Sequence, residues 1–446
     1  MEGQRVVVTW EVAEDAAFSR IVKTGRATAV PELAHSVHVD VDGLTPARWY
    51  MYRFRTGDAT SAVGRLRTTP APGADGSLAF AFVSCQHYEQ GLFTAYQHLA
   101  REELDVVAHL GDYIYEYGAV EGRARRHSLR ECLTLQDYRE RYAQYKTDAH
   151  LQAAHARCPW VLTWDDHEVD NNYANLVGEN GVESEEQMHA RRAAAYQAWW
   201  EHQPVRVPRA RSWADLTITR RMDWGRLARF WVLDTRQYRS PHGCNGSTGA
   251  HIPPCADWTN PARTLLGDAQ EKWLLGGLGG ASVQWEVLAN QVMMAPNDSM
   301  VGPEQRFSMD TWNGYPAARD RLLAAVAAKA PNRTVVLTGD IHSSWVSELK
   351  SSFLKPSAPT VATELVGTSI SSGGDGADAY ARPEVLAENP HIKWHNGRRG
   401  YVSCVVTASE WRASYRIVPF VTRPDAPIET GSSWVMQRGR PGVERA

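Results

Sequence analysis

The stretch that decides the fold is residues 105–115, DVVAHLGDYIY, in which a short apolar run ends at an aspartate. Apolar runs of this length with β-branched residues are typical of buried strands. Asp112 therefore stands at the carboxyl end of a predicted strand, and Tyr115 follows three residues later. A single Asp in this place is most often a helix cap or a turn residue. The alternative is a metal ligand, and the rest of the chain decides between the two.

The neighbouring stretches predict a parallel sheet. LAFAFVSC (78–85) is a second buried strand, and GLFTAYQHLAREE (91–103) has apolar residues at helical spacing. A strand, a helix and another strand form a β-α-β unit, whose strands are parallel and covered by helices. EEQMHARRAAAYQAWWEH (185–202) predicts a further helix, and CPWVLTWDD, RLARFWVLDTR, VQWEVLANQV and RTVVLTGDIH predict further strands. The predicted fold class is α/β.

Residues 1–70 have a different pattern. RVVVTWEV (5–12), HSVHVDVDGL (35–44) and RWYMYRFRT (48–56) predict short strands. GLTPARWYMYRF (43–54) resembles a strand pair of fibronectin-like or Ig-like domains, which need about seven strands. Only four or five are predicted here, so we expect an incomplete, all-β sandwich. Residues 71–77 predict a linker. Residues 78–446 then form the second domain, with a loose C-terminal tail at 429–446.

Composition excludes some classes of function. The formal net charge of -3 argues against binding to a nucleic-acid scaffold, which needs a basic surface. No apolar run reaches the roughly 20 residues of a transmembrane helix, and no signal-peptide h-region is visible in this sequence. Cys244 and Cys255 bracket a loop rich in Gly, Pro and Asn, and we expect a disulfide there if the protein is exported.

Polar side chains follow several of the predicted strands at the point where each strand ends. In open α/β sheets, ligands bind beyond the carboxyl ends of the strands, so these side chains are expected to converge. The group combines thiol, carboxylate, amide and imidazole side chains, which are metal ligands of mixed softness. Its members are Cys85, Asp112, Asp165, Asp166, His167, Asn290, Gln291, Asp340 and His342.

The motifs GDYIYE, TWDDHEVDNN, LDTRQYRS, ANQVMM and GDIHSSW, together with LLGDAQEKWL (265–274), resemble the PhoD-like family of metallophosphoesterases. The resemblance covers nearly the whole chain. It implies a four-layer α/β/β/α catalytic domain. It also implies a hydrolase of phosphomonoesters and/or phosphodiesters, of the alkaline phosphatase D type, with Fe³⁺ beside one or two Ca²⁺ ions.

The resemblance also assigns metal ligands. Cys85, Tyr115 and His342 would bind iron, and Asp112 would bridge the metals. Asp340 stands where the related Gly-His-x-His pattern has its first His, and it would serve calcium, which prefers oxygen ligands. Asn290 stands at a position where a His is replaced in a similar way. Asp165 and Asp166 are predicted ligands, and which metal each binds stays open.

Four further residues are candidates for contact with the substrate. His167 is the predicted general acid, and the alternative is that it orients a carboxylate. Asn171 and Asn172 would reach the metal or the phosphate. Arg236 is a candidate phosphate clamp, and the alternative is an ion pair with Asp234 or another acid.

The expected reaction is in-line attack of a metal-bound hydroxide on a small-molecule or lipid phosphate ester. The alternatives are a phospholipase D-like phosphodiesterase of the same family and a non-catalytic adhesion or binding module. By resemblance, the protein is expected to be secreted, periplasmic or on the cell surface. The sequence leaves the oligomeric state open.

Overall fold

The computed structural model describes residues 3–128, 130–244, 250–280, 283–380 and 382–446. The N-terminal region contains one single-turn 3-10 helix, Pro31–Leu33, and five strands. The strands are β1 (Val6–Ala13), β2 (Ile21–Ala29), β3 (Trp49–Thr56), β4 (Ala59–Thr60) and β5 (Gly64–Arg67). They form one antiparallel sheet in the order β2-β1-β3-β4, with β5 also on β3. Strands dominate the described residues of this region, and they form a single sheet rather than two facing sheets.

The strand predicted at 35–44 is wrong, and β2 is a strand that the prediction missed. The 35–44 segment leaves the sheet because its side chains dock on the rest of the protein. The His38 ring stacks on Trp200 with 3.8 Å between centroids, and its Nδ1 lies 3.3 Å from the carbonyl oxygen of Val205. The alternation of apolar residues in this segment therefore reflects packing against another surface rather than pairing in a sheet.

The rest of the described chain contains sixteen strands and seven α-helices. The strands are β6 (Leu78–Val83), β7 (Val106–His109), β8 (Trp160–Leu162), β9 (Arg220–Trp224), β10 (Ala228–Val232), β11 (His251–Ile252), β12 (Trp285–Ala289), β13 (Phe307–Ser308), β14 (Thr334–Thr338), β15 (Ser344–Lys350), β16 (Thr360–Val366), β17 (Ile392–Asn396), β18 (Arg399–Val406), β19 (Glu410–Val418), β20 (Glu429–Gln437) and β21 (Glu444–Arg445). The helices are α1 (Thr94–Leu99), α2 (Leu135–Tyr145), α3 (Ala149–Arg157), α4 (Glu185–His202), α5 (Gly267–Gly277), α6 (Pro316–Lys329) and α7 (Pro383–Glu388). Single-turn 3-10 helices lie at Trp213–Asp215 and Trp312–Gly314.

Two seven-stranded mixed sheets organise this part of the chain. One has the order β21-β20-β19-β18-β6-β7-β8, and the other has the order β17-β15-β16-β14-β12-β10-β9. They face each other across an apolar core that includes Phe80, Phe82, Val287, Leu337 and Trp411. On its outer face the first sheet packs against α1 to α4, and the second against α5 and α6. Helices thus cover both outer faces, as expected for an α/β fold.

Local sequence explains several element boundaries. The helix predicted at 185–202 is present as α4 with the same bounds, and it starts with a capping box between Ser184 and Gln187. The C-terminal stretch, in contrast, is not a loose tail. Strand β20 pairs with β19, and Ser432, Trp434 and Met436 alternate as buried residues on its inner face. Burial of every second residue is typical of a strand, and it explains why this segment is ordered despite its Gly and Arg content.

Candidate metal centre

The two sheets bring their strand-end residues together in two overlapping groups. Ligand atoms of Cys85, Asp112 and His342 lie within 4.8 Å of one another, and so do those of Asp112, Asp165 and Asp166. Asp112 belongs to both groups. These residues follow strands β6, β7, β8 and β14, so both sheets contribute to one site. The structure therefore brings together five of the predicted ligands.

The backbone at these strand ends turns sharply. Cys85, Asp112, Asp340 and His342 all have φ between 57° and 64°, in the left-handed region. For residues with a Cβ this conformation costs of order 1 kcal/mol each, and such strain clusters at functional sites. Gly111 explains the close approach of two strand ends, because a Cβ there would lie 2.4 Å from the Cβ of Asp165. The local chain is bent to present side chains rather than to continue the strands.

Tyr115 lies at the centre of the first group. Its hydroxyl donates to Asp112 Oδ2 at 2.9 Å, lies 3.0 Å from His342 Nε2, and accepts from Ser372 Oγ at 2.7 Å. Burial raises the pKa of Tyr115 well above its usual value, and the charge of Asp112 acts in the same direction. Burial likewise raises the pKa of the Cys85 thiol. Both groups are therefore neutral without a metal, and a bound cation would be needed to deprotonate them.

A buried acidic cluster surrounds the Arg236 side chain, which has no exposure to solvent. Its Nε donates to Asp165 at 2.5 Å, its Nη1 to Asp310 at 2.7 Å, and its Nη2 to Asp340 at 3.3 Å. Nη2 also lies 3.2 Å from Asp166. Four carboxylates thus share one guanidinium. Burial raises the pKa of Asp165, of Asp166 and, to about 8, of Asp340, and Arg236 only partly opposes this.

The donor set fits cations. Asp112 Oδ1 and Asp165 Oδ2 are buried and have no hydrogen-bond partner. A buried carboxylate oxygen without a partner is costly, unless it coordinates a metal. The acids around Arg236 outnumber it, and bound cations would favour their ionised forms. Carboxylate oxygens are the donors that calcium prefers. The thiol, phenol and imidazole of the first group form a separate, softer set that suits a transition metal.

Glu168 is a site residue that the sequence prediction missed. It is fully buried and accepts three backbone N–H groups, those of Asp112 at 3.0 Å, Tyr113 at 2.7 Å and Asp165 at 2.8 Å. It therefore ties the end of β7 to the end of β8. Burial raises its pKa to about 8, and the charge of Asp112 adds to the shift. Glu168 lies within the motif TWDDHE, but a carboxylate that binds backbone has no signature in sequence.

His167 is placed beside Tyr115, with 4.0 Å between the ring centroids. Its Nδ1 lies 2.8 Å from Glu116 Oε2, and the ring is almost completely buried. Burial would lower its pKa, but Glu116, Asp166 and Asp112 outweigh this and hold the pKa well above its usual value. His167 is therefore an imidazolium at neutral pH. Glu116, the residue that orients it, was also missed by the sequence prediction.

The remaining predicted residues lie around this centre with other partners. The Asn290 amide donates from Nδ2 to Val292 O and Thr338 Oγ1, and its Oδ1 accepts from Trp312 Nε1. Asn171 donates from Nδ2 to Glu179 at 2.5 Å. The backbone N–H of Asn172 donates to Asp166 Oδ2 at 2.7 Å.

Arg236 forms the ion pairs that were the alternative to a phosphate clamp, with acids other than Asp234. Asp234 instead accepts the backbone N–H of Arg236 at 2.9 Å. Asp310, which also accepts from Arg239 and lies 2.8 Å from His242 Nε2, was not predicted, because an Asp in a loop has no distinguishing pattern.

The predicted disulfide is present between Cys244 and Cys255, whose Cα atoms are 5.4 Å apart. Part of the loop that they enclose, residues 245–249, lies outside the described residues. Cys244 follows His242 by two residues, so the bridge constrains the segment that delivers His242 to Asp310. Among the helices that the structure describes, none has the length and apolar character needed to cross a bilayer.

Comparison with known proteins identifies the family. Residues 80–415 match the PhoD-like phosphatase family, and residues 1–70 match the N-terminal domain of PhoD-like phosphatases. Alkaline phosphatase D of Bacillus subtilis (strain 168) is 50% identical over 452 residues, covering 100% of this chain and 77% of that protein. A solved structure of PhoD has a TM-score of 0.97 and 50% identity, covering 100% of this chain and 86% of that one.

A more distant likeness concerns the fold alone. The purple acid phosphatase PPD1 from yellow lupin (Lupinus luteus) seeds has a TM-score of 0.57 at 12% identity, covering 97% of this chain and 70% of that one. The chain therefore belongs to the PhoD-like phosphatase family and is a phosphoesterase hydrolase.

Proposed function

We propose that the chain hydrolyses phosphate esters at a mixed metal centre that holds one Fe³⁺ beside one or two Ca²⁺ ions. The observation that carries the proposal is the pair of ligand groups sharing Asp112, one of mixed donors and one of carboxylates. The similarity to alkaline phosphatase D supports the same reaction class. Calcium and iron differ in their preferred donors, which matches the two kinds of group.

In this proposal Cys85, Tyr115 and His342 would hold the iron, and Asp112, which belongs to both ligand groups, would contribute to both metal sites. Asp165, Asp166 and Asp340 hold calcium. When bound, such ions stabilise charge on phosphoryl oxygens and activate a water for in-line attack. Glu168 keeps the ends of β7 and β8 in register, because it accepts N–H groups from both.

His167 is the proposed general acid for the leaving oxygen. Its Nδ1 proton is held by Glu116, so the Nε2 proton is the one that can be given to the leaving alkoxide. Glu116, Asp166 and Asp112 raise the pKa of His167, which favours retention of that proton. Asn171 and Asn172, at the rim of the same segment, are proposed to contact the phosphate. Arg236 could contact the phosphate only if the phosphate replaced one of the four aspartates that pair with its guanidinium.

The substrate is proposed to be a small-molecule or lipid phosphate ester, and both monoesters and diesters fit the reaction. A phospholipase D-like diesterase is the closest variant. We also propose that the protein works outside the cytoplasm, because the Cys244–Cys255 bridge needs an oxidising compartment.

The proposed domain division is an N-terminal β-domain over residues 1–70, with fibronectin-like or Ig-like affinity, a linker over 71–77, and the catalytic domain over 78–446. The catalytic domain is proposed to have the four-layer α/β/β/α arrangement.

The test combines elemental analysis, visible absorption and hydrolysis of p-nitrophenyl phosphate and bis-p-nitrophenyl phosphate, with and without added Ca²⁺. We expect about one iron per chain, a charge-transfer band and calcium-dependent turnover. Tyr115→Phe should weaken the band, whereas the matched control Tyr113→Phe, whose hydroxyl meets His155 instead, should keep it. A colourless protein that stays inert after both metals are restored would refute the proposal.

A further inference from the structure

A run of buried serines follows strand β16 and lies against the segment that contains Cys85. This serine segment, residues 369–372 (SISS), has three serines that are all fully buried. The backbone N–H of Ile370 donates to the carbonyl of Ser84 at 3.0 Å, and that of Ser372 donates to the carbonyl of Cys85 at 3.3 Å. The serine segment therefore joins an end of the second sheet to the end of β6 in the first.

Arg399 fixes the serine segment beside another predicted ligand. Its side chain is mostly buried, and Nη1 lies 2.6 Å from the Ser369 hydroxyl, 2.5 Å from the Ser372 carbonyl oxygen and 2.6 Å from the His342 carbonyl oxygen. The Ser369 hydroxyl in turn donates to the Ser372 carbonyl at 2.7 Å. The backbone of Ser372 is therefore held at a defined place next to the predicted iron ligands.

The hydroxyl of Ser372 lies between three polar groups. It accepts the backbone N–H of His87 at 3.1 Å, and its oxygen lies 2.8 Å from the carbonyl oxygen of Cys85 and 2.7 Å from the hydroxyl oxygen of Tyr115. A hydroxyl has one proton, so it donates to only one of these two oxygens at a time. The Cys85 carbonyl also accepts the backbone N–H groups of Ser371 and Ser372, so it does not depend on the hydroxyl.

The Tyr115 oxygen becomes the stronger acceptor of the two when a cation binds it. In the metal-free protein the phenol donates its own proton to Asp112 Oδ2 at 2.9 Å. Coordination to a metal removes that proton and leaves negative charge on the oxygen. Hydrogen bonds to charged acceptors are about twice as strong as those between neutral groups. The Ser372 proton is therefore expected on the Tyr115 oxygen in the metal-loaded protein.

We propose that Ser372 is a positioning residue for Tyr115, and that its hydrogen bond to the phenolate oxygen sets how strongly this ligand donates charge to the iron. The inference rests on the proposed function, in which Tyr115 binds Fe³⁺. Groups that hydrogen-bond to a metal ligand orient it and tune the metal. A hydrogen bond withdraws charge from the phenolate, so the iron keeps more of the positive charge that polarises a phosphoryl oxygen.

The test follows the visible spectrum and the reduction of the iron-loaded full chain. In Ser372→Ala the phenolate would donate more strongly, so the tyrosinate-to-iron charge-transfer band should move to longer wavelength. Stronger donation also favours Fe³⁺ over Fe²⁺. The ratio of Fe³⁺ to Fe²⁺ at a fixed ambient potential should rise on the order of 10-fold, which corresponds to a fall of about 59 mV in the reduction potential.

Ser371→Ala is the matched control, because Ser371 is equally buried and its hydroxyl donates to the carbonyl of His87 at 2.9 Å rather than to Tyr115. This control should leave the band and the reduction potential unchanged. Resonance Raman spectra excited in the band give a second measurement that needs no variant. The C–O stretch of the phenolate should shift in D₂O in the wild type, and Ser372→Ala should lose that shift.

Three outcomes would overturn the role of Ser372 and leave the hydrolase proposal intact. These are a band at the same wavelength in wild type and Ser372→Ala, a wild-type C–O stretch that does not respond to D₂O, and equal band shifts in Ser372→Ala and Ser371→Ala. The last would show only that the serine segment had loosened. An iron-loaded wild type without a charge-transfer band would overturn the proposed iron site together with this inference.

Discussion

Replacing Arg236 by methionine separates a buried ion-pair residue from a phosphate clamp. The side chain is fully buried and donates to Asp165, Asp310 and Asp340. Methionine fills similar space but removes the guanidinium that pairs with Asp165 and Asp340, whereas Asp310 keeps Arg239. Breaking a buried ion pair by removing one partner costs about 3–5 kcal/mol, because the remaining charge stays desolvated. If Arg236 contacted only the substrate, its replacement would hardly change the free energy of unfolding.

The assay is urea unfolding followed by tryptophan fluorescence, in EDTA and with added Ca²⁺. At a slope of roughly 3 kcal/mol per molar urea, the loss corresponds to a fall of about 1–1.7 M in the urea midpoint. The fall should be smaller with Ca²⁺, because a bound cation compensates the same carboxylates. Arg220→Met is the control, since Arg220 is mostly buried but donates to the carbonyls of Ile218 and Leu162 and leaves no carboxylate unpaired.

One outcome would refute this reasoning. If Arg236→Met unfolds within about 0.5 M of the wild type while KM for p-nitrophenyl phosphate rises tenfold or more, the guanidinium holds substrate and not the acidic cluster. The prediction of a phosphate clamp would then be correct, and the ion pairs would contribute little to stability.

Three further changes have defined outcomes. His167→Asn should slow hydrolysis of an alkyl phosphate by about 100-fold and of p-nitrophenyl phosphate by much less, since only a poor leaving group needs the acid; equal losses would contradict the assignment. Burial raises the pKa of Asp340 to about 8 in the metal-free fold, whereas the carboxyl of an unfolded chain titrates near its usual pKa of 3.8. The unfolding free energy of the metal-free protein should therefore fall as pH rises across that window in EDTA, and a rise would contradict the burial argument. Replacing Cys244 and Cys255 by serine should lower the unfolding free energy by about 2–3 kcal/mol, measured against the wild type with and without reductant; a midpoint unchanged by both treatments would show that the bridge adds no stability.

Local patterns in the sequence predicted the α/β fold and most of the strand ends that meet at the site. Residues such as Cys85, Asp112 and Asp340 stand out because each follows an apolar run, and a strand presents its end to the same edge of the sheet as its parallel neighbours. The same kind of pattern misled in two places, at 35–44 and at the C-terminal stretch. Alternating apolar residues occur both in strands and in segments that dock on another surface. Gly and Arg occur both in loose tails and in strands, and only the packing partner distinguishes these cases.

The sequence by itself determined the chemical types at the site, since thiol, phenol, imidazole and carboxylate side chains are visible at the ends of predicted strands. Only the tertiary structure decided how they are used. Glu168, Glu116 and Asp310 act through hydrogen bonds to partners far away in sequence, and such bonds have no period along the chain. The excess of buried carboxylates around Arg236 likewise exists only after both sheets have met. The capacity to hold a cation is therefore a property of the folded cluster of acids and not of any single motif.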